Sequence, residues 1–175
     1  HIHYLDVGGG FPVDYVDDET LPLEHFVDAI TNTLDEINLR GDCVLMCEPG
    51  RGMVASGSSL VVQVMLRKED SIYINDGVYH SLSEPLTAGV KLPMRVIRPG
   101  KEVSTEMKPF AIFGPTCDST DRIPGETLLP TCIREGDWIE IGQAGAYSNA
   151  MTTNFNGFIA ETFVNVDAPP LMPSY

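Results

Sequence analysis

The sequence predicts two successive architectures in one chain: an α/β tail with parallel strands, then an antiparallel all-β domain of sandwich or barrel-like form. Three observations predict it. A strand, an amphipathic helix and a second, mostly apolar strand follow one another in roughly the first fifty residues, the pattern of a βαβ unit in a parallel sheet. After Gly52, short strands recur between Gly, Pro, Asp and Asn turns, with no long helix among them. The texture changes at residues 53–58, which divides the chain into an α/β part, 1–55, and a β domain, 56–175.

Taken in order, His3-Tyr4-Leu5-Asp6-Val7 reads as a strand halted by Gly8-Gly9-Gly10, and an acid- and proline-rich loop follows. From Pro22 to Asn38, Leu23, Phe26, Val27, Ile30, Leu34 and Ile37 fall at helical spacing and predict a helix with one buried stripe. Asp18 or Thr20 is placed to cap its start and Gly41 to end it. Residues 43–47 form the second strand, where Cys43 and Cys47 read as small buried hydrophobes. Strands are then expected at residues 59–67, 71–74, 94–98, 110–113, 138–141 and 158–164, with an extended tail over 167–175.

Composition narrows the function. A net charge of −14 repels a phosphate backbone and anionic lipid alike, so neither nucleic acid nor a membrane surface is the expected partner. The longest apolar run, residues 60–66, is far too short to span a bilayer. The four cysteines lack CxxC spacing, which favours free thiols and a reducing, cytoplasmic setting. No signal peptide opens the chain, and it begins at His1 within a strand already under way; a fragment or a processed product is expected.

Three motifs carry chemistry. Gly8, Gly9 and Gly10, directly after a strand, let backbone N–H groups approach an anion, although a plain tight turn reads equally well. Glu48-Pro49-Gly50-Arg51 closes the neighbouring parallel strand in the same way, and two glycine loops with one arginine suit a phosphate monoester. The plainer reading of Arg51 is a surface salt bridge. Glu48 beside a phosphate needs another partner, and the protonated ring nitrogen of pyridoxal phosphate would supply one. The third motif, GPTCDSTD at residues 114–121, sets the thiol of Cys117 beside the carboxylate of Asp118 in a Gly/Pro turn. By composition alone, Cys117 packs and the aspartates cap turns.

LDVGGGFP at residues 5–12, EPGR at 48–51, GPTCDSTD at 114–121 and GDWIEIGQAGAY at 136–147 together resemble the fold-type III pyridoxal-phosphate-dependent decarboxylases. The TCDSTD form is closer to the ornithine/lysine branch than to the diaminopimelate branch. The resemblance implies that the α/β part is the last βα units of a TIM-type β/α barrel. It implies that Gly8, Gly9, Gly10, Gly50 and Arg51 hold the cofactor phosphate with the Tyr147 hydroxyl, and that Glu48 pairs with the pyridine nitrogen. Cys117 is then the acid that reprotonates the substrate α-carbon, and Asp118 faces the distal amine of a diamino acid. A thiol suits that task, since an unperturbed pKa of about 8.5 leaves it mostly protonated at neutral pH. The family completes each active site with the cysteine loop of a second subunit, which implies a head-to-tail homodimer with shared sites.

Some of the family pattern is missing. The Schiff-base lysine belongs to an early barrel strand, in a segment that would precede His1; Lys68, Lys91, Lys101 and Lys108 are not matched to it, nor are His1 and His3 to the ring-stacking histidine. Alone, the chain is expected to be inactive until that segment completes it. At residues 77–84, His80 stands where glycine is usual, and Glu84 reads either as a distal-amine ligand or as a solvated turn glutamate. Substrate identity stays open between ornithine, lysine and a related diamino acid. The competing reading is a non-catalytic homologue acting as a regulatory binding protein, and the intact glycine loops and Cys117 argue against it.

Overall fold

The computed structural model describes residues 2–39 and 41–173. His1, and Ser174 and Tyr175 of the expected tail, lie outside the described residues. Strand β1 (Tyr4–Asp6), helix α1 (Leu23–Glu36) and strand β2 (Val44–Met46) form the expected unit, β1 and β2 pairing in parallel with Leu5 opposite Leu45. Helix α2 (Gly50–Val54) and a 3-10 turn (Ala55–Gly57) lead directly into strand β3 (Leu60–Lys68).

Helix α1 departs from expectation at both ends. Pro22 stands at its N-cap without a side-chain bond, because the Thr20 hydroxyl instead donates to Asp14 at 2.5 Å. Asn38, with φ of 50°, ends the helix ahead of Gly41, its own N–H and that of Leu39 closing on the carbonyls of Asp35 and Leu34. Nor is the apolar stripe buried: no α1 residue is fully covered, and Phe26 meets Phe11 edge-on. In β2 the exposures of Val44, Leu45 and Met46 are 51%, 43% and 48%, so both faces of this strand lack cover. Cys43 is half-buried and Cys47 exposed, against the expectation of buried thiols.

The rest of the chain builds a six-stranded sheet from β3, β4 (Ser71–Ile74), β5 (Met94–Ile97), β6 (Met107–Phe113), β7 (Thr127–Pro130) and β8 (Trp138–Ile141), in the order β5-β8-β3-β4-β6-β7. Alternate residues point inward, and Val62, Val64, Ile72, Ile74, Phe110, Ile112, Leu129, Ile139 and Ile141 make one core. The two edge strands, β5 and β7, approach each other, so the sheet curls into a nearly closed barrel. One pair breaks the antiparallel expectation. β4 and β6 run parallel, because the long connection through a short helix α3 (Ser83–Thr87) and β5 brings the chain back in the same direction. Residues 158–164, expected as a strand, have no ladder; their large apolar side chains are exposed, and a strand cannot form without a neighbour to bond.

The GQAG run after β8 is explained by two close approaches. A Cβ at Gly142 would stand 2.2 Å from the Leu171 carbonyl oxygen, where the C-terminal segment crosses. A Cβ at Gly145 would stand 1.8 Å from the Val54 carbonyl oxygen, and the Gly145 N–H donates to the Ala55 carbonyl at 2.9 Å. The loop after β8 is thereby pressed onto the end of α2. Gly145→Ala in the full-length protein should cost at least about 2 kcal/mol, since the contacting atom is backbone and cannot step aside. Gly57→Ala, with open space at its Cβ, should stay within about 0.5 kcal/mol in the same denaturant titration.

Candidate functional site

The two glycine loops lie against each other. Gly8 and Gly10 take φ of 75° and 84°, a conformation costly for other residues, and nothing lies within 4 Å of a Cβ at either. The Gly8 carbonyl accepts the Glu48 N–H at 2.8 Å, and a Cβ at Gly9 would fall 2.6 Å from the Glu48 carbonyl oxygen. Only glycine at position 9 lets the loops close to this distance. Glu48 itself is exposed. Its carbonyl accepts the Gly50 N–H at 2.8 Å, which turns the chain into α2 and sets Arg51 in the first turn of that helix. Tyr147 comes from the far end of the sequence to the same place: a Cβ at Gly50 would lie 3.8 Å from its hydroxyl.

Arg51 is held from the sheet side. Its Nη1 donates to Glu84 Oε1 at 2.5 Å and to the Tyr15 hydroxyl, while the guanidinium lies over the Tyr147 ring at 5.0 Å and the Tyr15 ring at 5.6 Å. Glu84 is 1% exposed, so it is no solvated turn residue. Its second oxygen accepts the Tyr147 N–H and the Ser148 hydroxyl, each at 3.3 Å. Burial works against the charge of Arg51, yet the bonds from Glu84 and Tyr15 outweigh it and raise the pKa above the ordinary arginine value. Burial raises the Tyr15 phenol. Removing the arginine alone would strand a buried carboxylate, at a cost of about 3–5 kcal/mol.

The cysteine loop forms a second cluster. Cys117 and Asp118 are exposed at its tip. Asp118 is fixed by the Tyr79 hydroxyl at 2.6 Å and by the N–H and hydroxyl of Thr120, both at 2.9 Å. The bond from Tyr79, then those from Thr120, lower the Asp118 pKa, and the same contact raises that of Tyr79. Beneath the tip, Asp121 is 2% exposed and accepts the N–H groups of Val78 and Thr116, each at 3.0 Å, and the Thr116 hydroxyl at 2.7 Å. Gly77 and Gly114 make room for it, since a Cβ at either would lie 2.2 Å from Asp121 Oδ1.

Gly8, Gly9, Gly10, Glu48, Gly50, Arg51, Tyr147 and Glu84 thus share one neighbourhood, while Cys117 and Asp118 belong to another. Residues 76–84 join the two, Tyr79 at the cysteine loop and Glu84 at Arg51. Within that segment His80 is wholly buried; its Nε2 meets the Phe155 carbonyl at 2.9 Å, its ring meets the edge of Phe158, and its Nδ1 has no hydrogen-bond partner among the described residues. Sequence reasoning missed Tyr15, Ser148, Tyr79 and Asp121. The available signals were a lone aromatic in an acidic loop for Tyr15 and, for Asp121, glycines flanking two motifs that face each other.

In chemical terms, the rim of Gly8–Gly10, Gly50, Arg51 and the Tyr147 hydroxyl offers open backbone, one cation and one hydroxyl to a small anion. That set fits the phosphate of pyridoxal phosphate. Fold and rim together describe a curled sheet joined to a βαβ unit whose two glycine loops close on each other. The family model for the C-terminal sheet domain of pyridoxal-dependent decarboxylases matches residues 23–145. A Helicobacter pylori diaminopimelate decarboxylase is 33% identical over 158 residues, covering 89% of this chain and 37% of that protein. A Schizosaccharomyces pombe ornithine decarboxylase is 35% identical over 178 residues, covering 93% and 39%. An antizyme inhibitor 2 from Xenopus laevis is 34% identical over 171 residues, covering 88% and 37%. Among solved structures, a lysine/ornithine decarboxylase from Vibrio vulnificus complexed with cadaverine has a TM-score of 0.74 at 34% identity, covering 89% of this chain and 42% of that one. The chain belongs to the fold-type III pyridoxal-dependent decarboxylase family. It spans about two fifths of the length of the curated relatives it matches, and the identities do not separate the diaminopimelate from the ornithine branch.

The Asp118 contacts have a pH signature. A depressed carboxyl pKa means that its contribution is present above the ordinary aspartate value and fades as pH falls through the lower folded value. In Tyr79→Phe, a carbon NMR titration of Asp118 should show its midpoint moved up towards the ordinary range. An unmoved midpoint would mean that the Tyr79 hydroxyl does not stabilise the charge.

Proposed function

We propose that this chain is the C-terminal portion of an enzyme that decarboxylates a basic amino acid, ornithine or lysine, to a diamine with pyridoxal phosphate. The observation that carries this reading is the contact between the two glycine loops, Gly8 and Gly9 on Glu48, with Arg51 and Tyr147 at the same rim. The bound cofactor supplies the electron sink for loss of carbon dioxide. The chain's own residues have narrower tasks. Gly8, Gly9, Gly10, Gly50, Arg51 and the Tyr147 hydroxyl hold the phosphate, and Glu48 keeps the ring nitrogen protonated. Cys117 delivers a proton to the substrate α-carbon, and Asp118, with its charge stabilised by Tyr79 and Thr120, pairs with the distal amine. In this reading Glu84 serves the substrate only indirectly, because both its oxygens are occupied.

The uncovered apolar faces of β2 and α1 support a β/α-barrel tail over residues 1–55, set against a β domain over 56–175. The missing N-terminal barrel segment, with the Schiff-base lysine, would cover those faces and make the enzyme competent. Cys117, exposed on a loop fastened from below by Asp121, suits delivery into the site of a second subunit, in a homodimer with shared active sites. Four free thiols support a reducing, cytoplasmic setting; among the described residues no helix is long and apolar enough to cross a membrane. The similarity to an antizyme inhibitor favours a second reading, a non-catalytic regulatory homologue. That reading gives no physical reason to retain the glycine rim together with an exposed thiol.

In the full-length protein, Cys117→Ala should lower diamine formation about 100-fold or more and leave cofactor affinity unchanged. Mixing Cys117→Ala subunits with Glu48→Ala subunits should regain turnover that neither parent has. Turnover unaltered by Cys117→Ala would exclude the thiol from the reaction, and a wild-type protein that neither binds the cofactor nor forms a diamine would favour the regulatory reading.

A further inference from the structure

We propose that Glu84 is a positioning residue for the phosphate end of the site: a buried carboxylate of the sheet domain that sets the placement of both Arg51 and Tyr147. The inference rests on the phosphate-site reading above and adds to it the part that supplies its geometry. The two oxygens of Glu84 divide the work. Oε1 takes Arg51 Nη1 at 2.5 Å, and Oε2 takes the Tyr147 N–H and the Ser148 hydroxyl, each at 3.3 Å. Residues 51 and 147 are far apart in sequence, yet one side chain holds both.

The pair also has a direction. The side chain of Glu84 is 2% exposed and that of Arg51 is 23% exposed, so the carboxylate end is dry and the guanidinium end reaches solvent. Nη1 is occupied by Glu84 and Tyr15, while the Tyr15 and Tyr147 rings restrict the plane of the guanidinium. An arginine on a five-residue helix would otherwise sample many rotamers, and a planar fork binds phosphate well only when its plane is set. Tyr147 is fixed by its backbone N–H rather than by its hydroxyl, which leaves the hydroxyl at the Gly50 turn. The negative charge of Glu84 cannot by itself favour a phosphate. Its length and placement are what the site uses.

That distinction gives the test, made on the full-length apoprotein by titrating pyridoxal phosphate and, separately, phosphate-free pyridoxal. Glu84→Asp keeps the charge and a partner for Arg51 but shortens the reach. It should weaken pyridoxal phosphate about tenfold and leave pyridoxal within about twofold. Glu84→Gln keeps the length and an acceptor for Arg51 but turns an NH2 donor towards the Tyr147 N–H, and should weaken pyridoxal phosphate by more than about threefold while leaving pyridoxal within about twofold. Arg51→Lys, which keeps a counter-ion for Glu84 but loses the fork, should weaken pyridoxal phosphate about tenfold, and adding Glu84→Asp to it should change nothing further. Equal losses of both ligands in Glu84→Asp, no loss at all, or full additivity with Arg51→Lys would overturn the proposal. If Arg51→Lys alone leaves the affinity intact, the phosphate-site reading itself falls.

Discussion

A carboxylate taken out of water must find a cation and enough donors to replace its hydration, and Glu84 finds both at one point, where α2 meets the sheet. Arg51 supplies the charge, and Tyr147 and Ser148 supply the donors. Because those partners come from two distant stretches of chain, the pair couples the βαβ unit to the curled sheet, beside the Val16 N–H on the Lys91 carbonyl and the Lys91–Asp17 ion pair. The sheet contributes its own large core; the α/β part contributes almost none among the described residues, with Tyr15 its one deeply buried large side chain. Tyr15 is also the residue that caps the Arg51 guanidinium. The glycine rim is therefore anchored less by its own packing than by what the sheet holds in place.

The segment from Asp76 to Glu84 extends this dependence to the cysteine loop. Asp76, its pKa raised by burial, accepts from Ser81 and Gly77 and folds the segment on itself. Asp121 binds Val78 from the other side, and Tyr79 reaches Asp118. A displacement of this segment would therefore reach the thiol-bearing tip and the arginine together. His80 lies in the middle of it, under Phe155 and Phe158, so the C-terminal stretch covers the link from outside.

What could be read from the sequence divides along physical lines. Strands followed at once by glycine were legible at Gly8–Gly10 and at Glu48–Arg51, because local pattern and tight turns determine them. The six alternating strands of the sheet were legible except β7, which is short and ends in proline. What depends on distant partners was not. The burial of Glu84 needs Arg51 and residues 147–148 to arrive from elsewhere, and the role of Asp121 needs two glycine turns to meet. The parallel pairing of β4 with β6 is set by how a long connection folds, which no local period encodes. Asn38 ended α1 three residues before the glycine expected to do so, since an asparagine tolerates the left-handed conformation well enough to stop a helix early.

The same reasoning separates two kinds of exposed apolar surface in this chain. Sheet residues such as Met65 and Leu128 face outward from a barrel whose inner face is already full, and scattered outward side chains of this sort are ordinary. The apolar residues of β2 and α1 are different. They belong to a two-stranded sheet and a helix stripe with no inner face of their own, and two strands alone are at best marginally stable in water. Yet β1 and β2 keep their register, and the loops at their ends stay closed on each other. The contacts between residues 1–55 and the sheet domain include the Glu84–Arg51 pair, Gly145 against the end of α2, the Val16 N–H on the Lys91 carbonyl and the Lys91–Asp17 ion pair. The rim is thus tied to the sheet at several points, Glu84 and Gly145 among them, and a covering segment on the uncovered face would add stability to a placement those contacts already hold.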